Sequence, residues 1–353
     1  MDLEKRLQAF VNLGIALRSA FDNEESAEFS EDQMAKIEAL VAEAASARNY
    51  NGWFDEGMVR NALLALGESL REEKLRKWVS EYPLDTLSTE KTVGVVMAGN
   101  VPAVGFHDFL SVLMSGHKIL ARLSSDDSKL LPAMANLLQS FEPDFEPYIS
   151  FTDGRLQNFD AIIATGSNNT SRYFEYYFGK YPNIIRKNRN GIAVLTGNED
   201  HTELESLANE IFLYFGLGCR NVSKIFVPKE YDFEPLLNVL AKRTEIAQHN
   251  KFFNNYEYNK AIYLVNGRQH FDTGNLLLVE DEQISSPVGV LYYEYYSSED
   301  ALRNTLMVRS EQIQCIMSQA TFLPKVIQLG GSQQPDLWDY ADGVDTMEFL
   351  INL

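Results

Sequence analysis

The stretch TVGVVMAGNVPAVGFHDFLSVLMSGHKILARL, Thr92 to Leu123, decides the fold class. Val93 to Ala98 is a short apolar run, the pattern of a buried strand. Gly99-Asn100-Val101-Pro102-Ala103-Val104-Gly105 is a loop, His107 to Ser115 an apolar helix, and Lys118 to Leu123 a second strand. Strand, glycine-containing loop, helix and strand in that order indicate an α/β protein with a parallel sheet and crossover helices. Ligands of such sheets bind in the loops at the carboxyl ends of the strands.

Downstream, the alternation continues. Ser128 to Phe141 reads as a helix, Ala161 to Ala164 as a strand before Thr165-Gly166-Ser167, Thr170 to Phe178 as a helix, and Gly191 to Leu195 as a strand. A helical pattern from His201 to Phe215 then leads into the apolar run Lys224 to Val227. Beyond it lie a helix from Phe233 to Arg243, strands at Leu276 to Val279 and Val288 to Tyr293, and a helix from Ser298 to Leu306. Upstream, the first eighty or so residues are helical. Leu3 to Phe21 carries apolar residues at helical spacing, Ser30 with Gln33 forms a capping-box pattern, and Asp55 caps a helix through Leu70. The acidic run from Asp22 to Asp32 reads as a solvated face.

The composition is that of an ordinary globular chain, 353 residues with 45% hydrophobic and 23% charged. The formal net charge of −19 argues against nucleic acid and anionic membrane surfaces as partners. No apolar run approaches the length of a membrane span, and the first residues lack the apolar core of a secretory signal. Two cysteines, Cys219 and Cys315, make no disulfide framework, so a reducing cytoplasm is the expected location. The five histidines show no metal-ligand spacing, and no metal site is expected.

Cys219 stands in Phe215-Gly216-Leu217-Gly218-Cys219-Arg220-Asn221, where a helix hands over to a strand. The two glycines permit a tight turn with positive φ. A thiol on such a turn can serve as a nucleophile once ionised. The alternative reading is a buried small hydrophobe, the usual fate of a free cysteine.

Four stretches together resemble the aldehyde dehydrogenase superfamily, and within it the acyl-CoA reductases related to the fatty-acid reductase of bacterial luminescence. Met97-Ala98-Gly99-Asn100-Val101-Pro102 is similar to the family's Asn-Phe-Pro loop. Ser115 to Ser125 is similar to its glycine, strand and Lys-Pro-Ser-Glu segment. Ala164-Thr165-Gly166-Ser167 resembles Phe-Thr-Gly-Ser, and Gly216-Leu217-Gly218-Cys219 resembles Gly-Gln-x-Cys. A weaker echo of Glu-x-Phe-Gly-Pro-Val lies at Gln283 to Val288.

The resemblance implies two Rossmann-like parallel-sheet lobes with an N-terminal helical region. Residues 1–85 would pack on a nucleotide-binding lobe of residues 86–197, residues 198–335 would form the catalytic lobe, and 336–353 would return to the first lobe or to a partner subunit. It implies Cys219 as the acyl acceptor and Asn100 as a donor to the carbonyl oxygen. Arg122, Ser124, Ser125, Gly166, Ser167 and Gln283 would bind the cofactor. Arg122 and Ser125 stand where NAD-using relatives carry a lysine and a glutamate, which points to NADPH, with NADH the alternative. Ser171 replaces a common second glycine, and Gln283 a ribose-binding glutamate. The segment Ile185 to Ile192 lacks the carboxylate that activates water in hydrolytic relatives. That absence favours reduction of an acyl-CoA over oxidation of an aldehyde. Reduction of an acyl phosphate and a non-catalytic acyl-CoA or nucleotide binder are the alternatives, and a homo-oligomer is implied.

Overall fold

The computed structural model describes residues 1–22, 27–84 and 89–353. Residues 23–26 of the acidic run and the expected boundary at 85/86 lie outside the described residues. The chain divides into two compact units, the first of residues 1–187 and 335–353, the second of residues 188–334.

The first unit opens with four helices, α1 (Leu3–Asp22), α2 (Glu31–Ser46), α3 (Glu56–Ser69) and α4 (Glu72–Ser80). The start signals act as the sequence indicates. Ser30 and Gln33 close a reciprocal capping box on α2, and Asp55 accepts from the Met58 N–H at the start of α3. There follow β1 (Thr92–Val96), α5 (Phe106–Met114), β2 (Lys118–Arg122), α6 (Leu130–Phe141), β3 (Ile149–Thr152), β4 (Ala161–Thr165), α7 (Asn168–Phe178) and β5 (Asn183–Arg186). The five strands are all parallel, in the order β3-β2-β1-β4-β5. This is the doubly wound arrangement, whose strand order reverses beside β1. Phe10 of α1 packs edge-on against Phe106 and Phe109 of α5 and Phe145 of the short helical turn before β3, with centroids 5.8–6.4 Å apart, and joins the helical layer to the helices that cover the sheet.

The second unit contains β6 (Asn190–Val194), α8 (His201–Phe212), β7 (Val222–Pro228), α9 (Glu234–Ala241), α10 (Asn250–Val265), β8 (Phe271–Asp272), β9 (Leu277–Glu280), β10 (Val290–Tyr296), α11 (Glu299–Val308) and β11 (Ile313–Ser318). Its sheet runs β11-β6-β7-β10-β9-β8, parallel except for the short antiparallel edge strand β8. Because β6 pairs with β7 and β11, the division falls at 187/188 rather than at the expected 197/198. Ile192, Val194, Phe226, Leu302 and Ile313 form one core cluster, and Tyr256, Leu277, Val279 and Tyr292 another.

Residues 335–353, ending in α12 (Thr346–Ile351), lie in the first unit. The His107 ring bonds the Leu337 carbonyl at 2.9 Å, the His117 ring bonds the Leu350 carbonyl at 2.9 Å, and Trp78 donates to the Tyr340 hydroxyl at 2.6 Å. Arg186, at the end of β5, is buried. It makes a two-pronged pair with Asp108 at 2.5 and 2.8 Å and bonds Thr346.

Candidate active site

Three of the loops singled out from sequence sit side by side in the first unit. The Asn100 loop follows β1, Arg122 to Ser125 follows β2, and Gly166-Ser167 follows β4. Since β1 pairs with β2 on one side and β4 on the other, all three emerge at the carboxyl edge of neighbouring parallel strands. That edge, at the point where the strand order reverses, is where an open α/β sheet takes a nucleotide.

The β1 loop is tightly packed on the β2 loop. A Cβ on Gly99 would lie 2.6 Å from Ser124 Oγ, so only glycine permits this approach. Asn100 itself is exposed. Ala103, three residues on, is buried with φ +54°, a left-handed conformation that costs a non-glycine residue about 1 kcal/mol. Its N–H donates to Asp127 Oδ2 at 2.6 Å.

Arg122 and Ser125 are exposed and Ser124 half-buried. Ser167 is the N-cap of α7, its hydroxyl accepting from the Thr170 N–H at 3.2 Å and bonding Thr170 Oγ1 at 2.9 Å. The hydroxyl is therefore engaged in the cap, and backbone N–H groups of the first turn are what α7 offers an anion. Gly166 has no room for a side chain, since a Cβ would meet Phe174 at 2.9 Å. Ser171 is buried and turned back onto the Asn168 carbonyl at 2.9 Å. Tyr173, Tyr176 and Tyr177 of α7 are exposed, whereas Tyr292 and Tyr293 of β10 are core residues.

In the second unit Cys219 lies in the connection from α8 to β7, at the amino end of its strand. The thiol is exposed, which removes the buried-hydrophobe reading. Before it, Tyr214, Phe215 and Gly216 all take positive φ, +52°, +55° and +74°. Sequence reading assigned this strain to the two glycines, but only Gly216 carries it, and two aromatic residues carry the rest. Phe215 is held there by burial, its ring 4.1 Å from His249 and 6.1 Å from Phe252.

Asn221, only 1% exposed, fastens this turn. Its Oδ1 accepts from the Gly218 N–H at 2.8 Å, and its Nδ2 donates to the Glu210 and Leu213 carbonyls at 2.8 and 2.6 Å. Those carbonyls belong to the end of α8, where backbone acceptors lack helical partners. A second fastening comes from Ser332. Its Oγ donates to the Arg220 carbonyl at 3.2 Å, and its own N–H donates to Glu210 Oε1 at 2.6 Å. Glu210 is buried, with Oε2 lacking a hydrogen-bond partner, and that burial pushes its carboxyl above the ordinary range.

Sequence reasoning missed Asn221, Glu210 and Asp127. Asn221 and Asp127 each stand two residues from one it did select, but an Asn or Asp in a turn is the commonest of turn formers, and Glu210 reads as an ordinary polar position of α8; only burial distinguishes these.

Gln283 is exposed in the connection from β9 to β10, its N–H donating to Asp281 Oδ1 at 2.7 Å. That connection touches the start of β7 through a 2.7 Å bond from Ser223 Oγ to the Ile284 carbonyl. Gln283 lines a hollow with Glu280, Asp281, Glu282 and Glu294, surroundings that repel phosphate. Among the described residues no group of three or more His, Cys, Asp or Glu side chains is placed to hold a metal, and no helix is long and apolar enough to cross a membrane.

A family model described as acyl-CoA reductase (LuxC) matches residues 3–250. No curated protein sequence matches the chain. Among solved structures, aldehyde dehydrogenase 21 from Physcomitrella patens is similar at 11% identity and a TM-score of 0.68, over 100% of this chain and 84% of that one. An acetylating aldehyde dehydrogenase from Geobacillus thermoglucosidasius is similar at 11% identity and a TM-score of 0.59, over 96% and 86%. An aldehyde dehydrogenase from Bacillus cereus, solved with NAD+, is similar at 15% identity and a TM-score of 0.58, over 89% and 77%. At these identities the likeness establishes the aldehyde dehydrogenase fold.

Proposed function

The chain belongs to the acyl-CoA reductase (LuxC) family, and from that premise we propose that Cys219 is its acyl acceptor, Asn100 its carbonyl-oxygen donor and NADPH its reductant. The enzyme is an NAD(P)H-dependent oxidoreductase that forms aldehydes from acyl thioesters.

The Cys219 thiolate attacks the thioester carbonyl, the bond to the CoA sulfur breaks, and CoA leaves as the free thiol after taking up a proton. The acyl group is then held as a thioester on Cys219. A reduced nicotinamide, when bound, supplies the hydride that converts this acyl group to the aldehyde level. The carbon–sulfur bond then breaks, releasing aldehyde and regenerating the Cys219 thiolate. Negative charge gathers on the carbonyl oxygen in both stages. The Asn100 side-chain amide and the Cys219 backbone N–H are the proposed donors, and loss of one such donor costs about a hundredfold or more in rate.

What carries this reading is the turn itself. An exposed thiol follows three consecutive left-handed residues and is fastened by a buried amide, an arrangement that holds a nucleophile out and still. The first unit supports the cofactor assignment. Gly166 lets the loop after β4 pack closely on α7, whose first-turn N–H groups are the proposed contact for a pyrophosphate. Arg122, exposed beside Ser124 and Ser125 at the end of β2, is the proposed partner of the adenosine 2′-phosphate. Gln283 is the proposed nicotinamide-ribose contact. The first unit would thus be the cofactor lobe and the second the catalytic lobe, assembled as a homo-oligomer.

Intact-protein mass after mixing with a panel of acyl-CoAs, without reductant, tests the core of the proposal. An acyl mass is expected on the wild type and not on Cys219→Ala, and aldehyde is expected when NADPH is added. No adduct with any thioester overturns the role of Cys219.

A further inference from the structure

Asp127 is a buried acid, 5% exposed, that no step of the reaction above uses. It lies just beyond Arg122 to Ser125, and its own N–H donates to the Ser124 carbonyl at 3.2 Å, closing that loop. Its side chain reaches the other way. Oδ2 accepts the Ala103 N–H at 2.6 Å, and the Leu130 N–H also faces the carboxyl group. Ala103 is the left-handed residue of the Asn100 loop, so this bond holds that loop at its most strained point. From the opposite side, Gly99 rests on Ser124 with no space for a side chain. Asn100 is therefore bracketed by two contacts to one neighbouring loop.

We infer that Asp127 is a positioning residue for Asn100, fixing the proposed carbonyl-oxygen donor and tying it to the loop that would hold the adenosine ribose. This inference rests on the role proposed for Asn100. A carboxylate is the stronger acceptor for the Ala103 N–H, and protonation weakens the grip. Burial pushes the Asp127 carboxyl up to about 6, opposed by the N–H groups of Ala103 and Leu130. No cation pairs with it among the described residues. The groups around it are Tyr50, whose phenol is pushed up chiefly by burial and further by Asp127 and Glu43, and Lys129, which lies over the Tyr50 ring and pairs with Glu43 at 3.6 Å. Asp126 is exposed, and its carbonyl accepts from Asn51 Nδ2 at 3.2 Å.

The test is kcat and KM for octanoyl-CoA with NADPH across pH 5–9, on the full chain, for wild type, Asp127→Asn, Asp127→Ala, Asn100→Ala and the Asn100→Ala/Asp127→Ala double variant. Asp127→Ala is expected to lower kcat about tenfold at pH 8 with KM for the thioester little changed, as for a group that acts only on the transition state. Asp127→Asn, which keeps an acceptor but cannot titrate, is expected to keep most of the pH 8 rate and to lose an acid limb near pH 6. In the Asn100→Ala background, Asp127→Ala is expected to add nothing. An unchanged kcat in Asp127→Ala, or effects that multiply in the double variant, overturns the inference. If Asp127→Ala does not fold, an acid limb near pH 6 that survives in Asp127→Asn overturns it. A silent Asn100→Ala overturns the reading of Asn100 itself, and is distinguishable because it shows in the single variant.

Discussion

The β1 loop that carries Asn100 and the turn that carries Cys219 each present an exposed polar residue on a fastened, partly left-handed backbone, and they are fastened differently. The β1 loop stands at the carboxyl end of its strand, with one left-handed residue and a carboxyl group as its fastening. The Cys219 turn stands at the amino end of β7, with three left-handed residues and an amide as its fastening. An amide does not titrate and satisfies both donors and acceptors, so this fastening of the Cys219 turn is independent of pH, whereas its second fastening, through Ser332, ends on the Glu210 carboxyl. A carboxyl group only accepts when ionised, and its hold varies with protonation. The Asn100 loop is thus fastened directly by a titrating group, and the Cys219 turn directly by an amide and only at second remove by a titrating one.

The largest blow to this contrast is Asn221→Ala. It strands the Gly218 N–H and the Glu210 and Leu213 carbonyls together, at about 1–3 kcal/mol for each buried group left unsatisfied. A loss of about 4 kcal/mol in denaturant unfolding is expected, with acylation of Cys219 slowed even where the fold persists; a change below about 1 kcal/mol would show the amide to be dispensable. Next comes the pH dependence of stability. The folded-state Asp127 carboxyl is raised from an ordinary 3.8 to about 6, so between those values the folded chain holds more protons than the unfolded one. Stability therefore falls as pH rises from about 4 to about 6, by about 3 kcal/mol in all, and is flat above. Glu210, also raised by burial, adds to the fall with the same sign, so the measurement that isolates Asp127 is the difference between wild type and Asp127→Asn. A smaller effect is expected at the neighbouring loop: Arg122→Ala should cut the preference for NADPH over NADH about tenfold, about 1.4 kcal/mol, in the ratio of kcat/KM values. The mildest is Gly216→Ala. No atom blocks the added methyl closely, the nearest being the Ile211 carbonyl at 3.5 Å, so only the left-handed φ counts, at about 1 kcal/mol in thermal unfolding.

Much of the scaffold was legible because period and punctuation agree. The run Val93 to Ala98, the capping box at Ser30 and the alternation through Val194 each announce their element locally. The helix Asn250–Val265 was not legible. Its buried side chains, Phe252, Tyr256, Asn259 and Tyr263, include a polar one, while Tyr258, Leu264 and Val265 are exposed, so no apolar stripe stands out. The four-residue strands β3 and β5 are too short to show a period. For the candidate site, the loops were legible through glycine and motif order, but their fastenings were not. Asp126 and Asp127 are identical in sequence terms, and only the fold turns one outward and the other to Ala103.

The return of residues 335–353 to the first unit makes the second an insertion in the first, leaving at Lys187 and coming back at Pro335. During synthesis the first unit cannot seat Thr346 against Arg186 or Leu350 against His117 until the whole second unit has been made. Its folding must wait on its guest, or proceed with a gap where α12 belongs. Yet the polymer cost of the arrangement is slight, since doubling the length of an enclosed loop adds only about 0.6 kcal/mol to its closure. The second unit can therefore gain or lose loops over evolutionary time at little cost to the unit that encloses it in the chain.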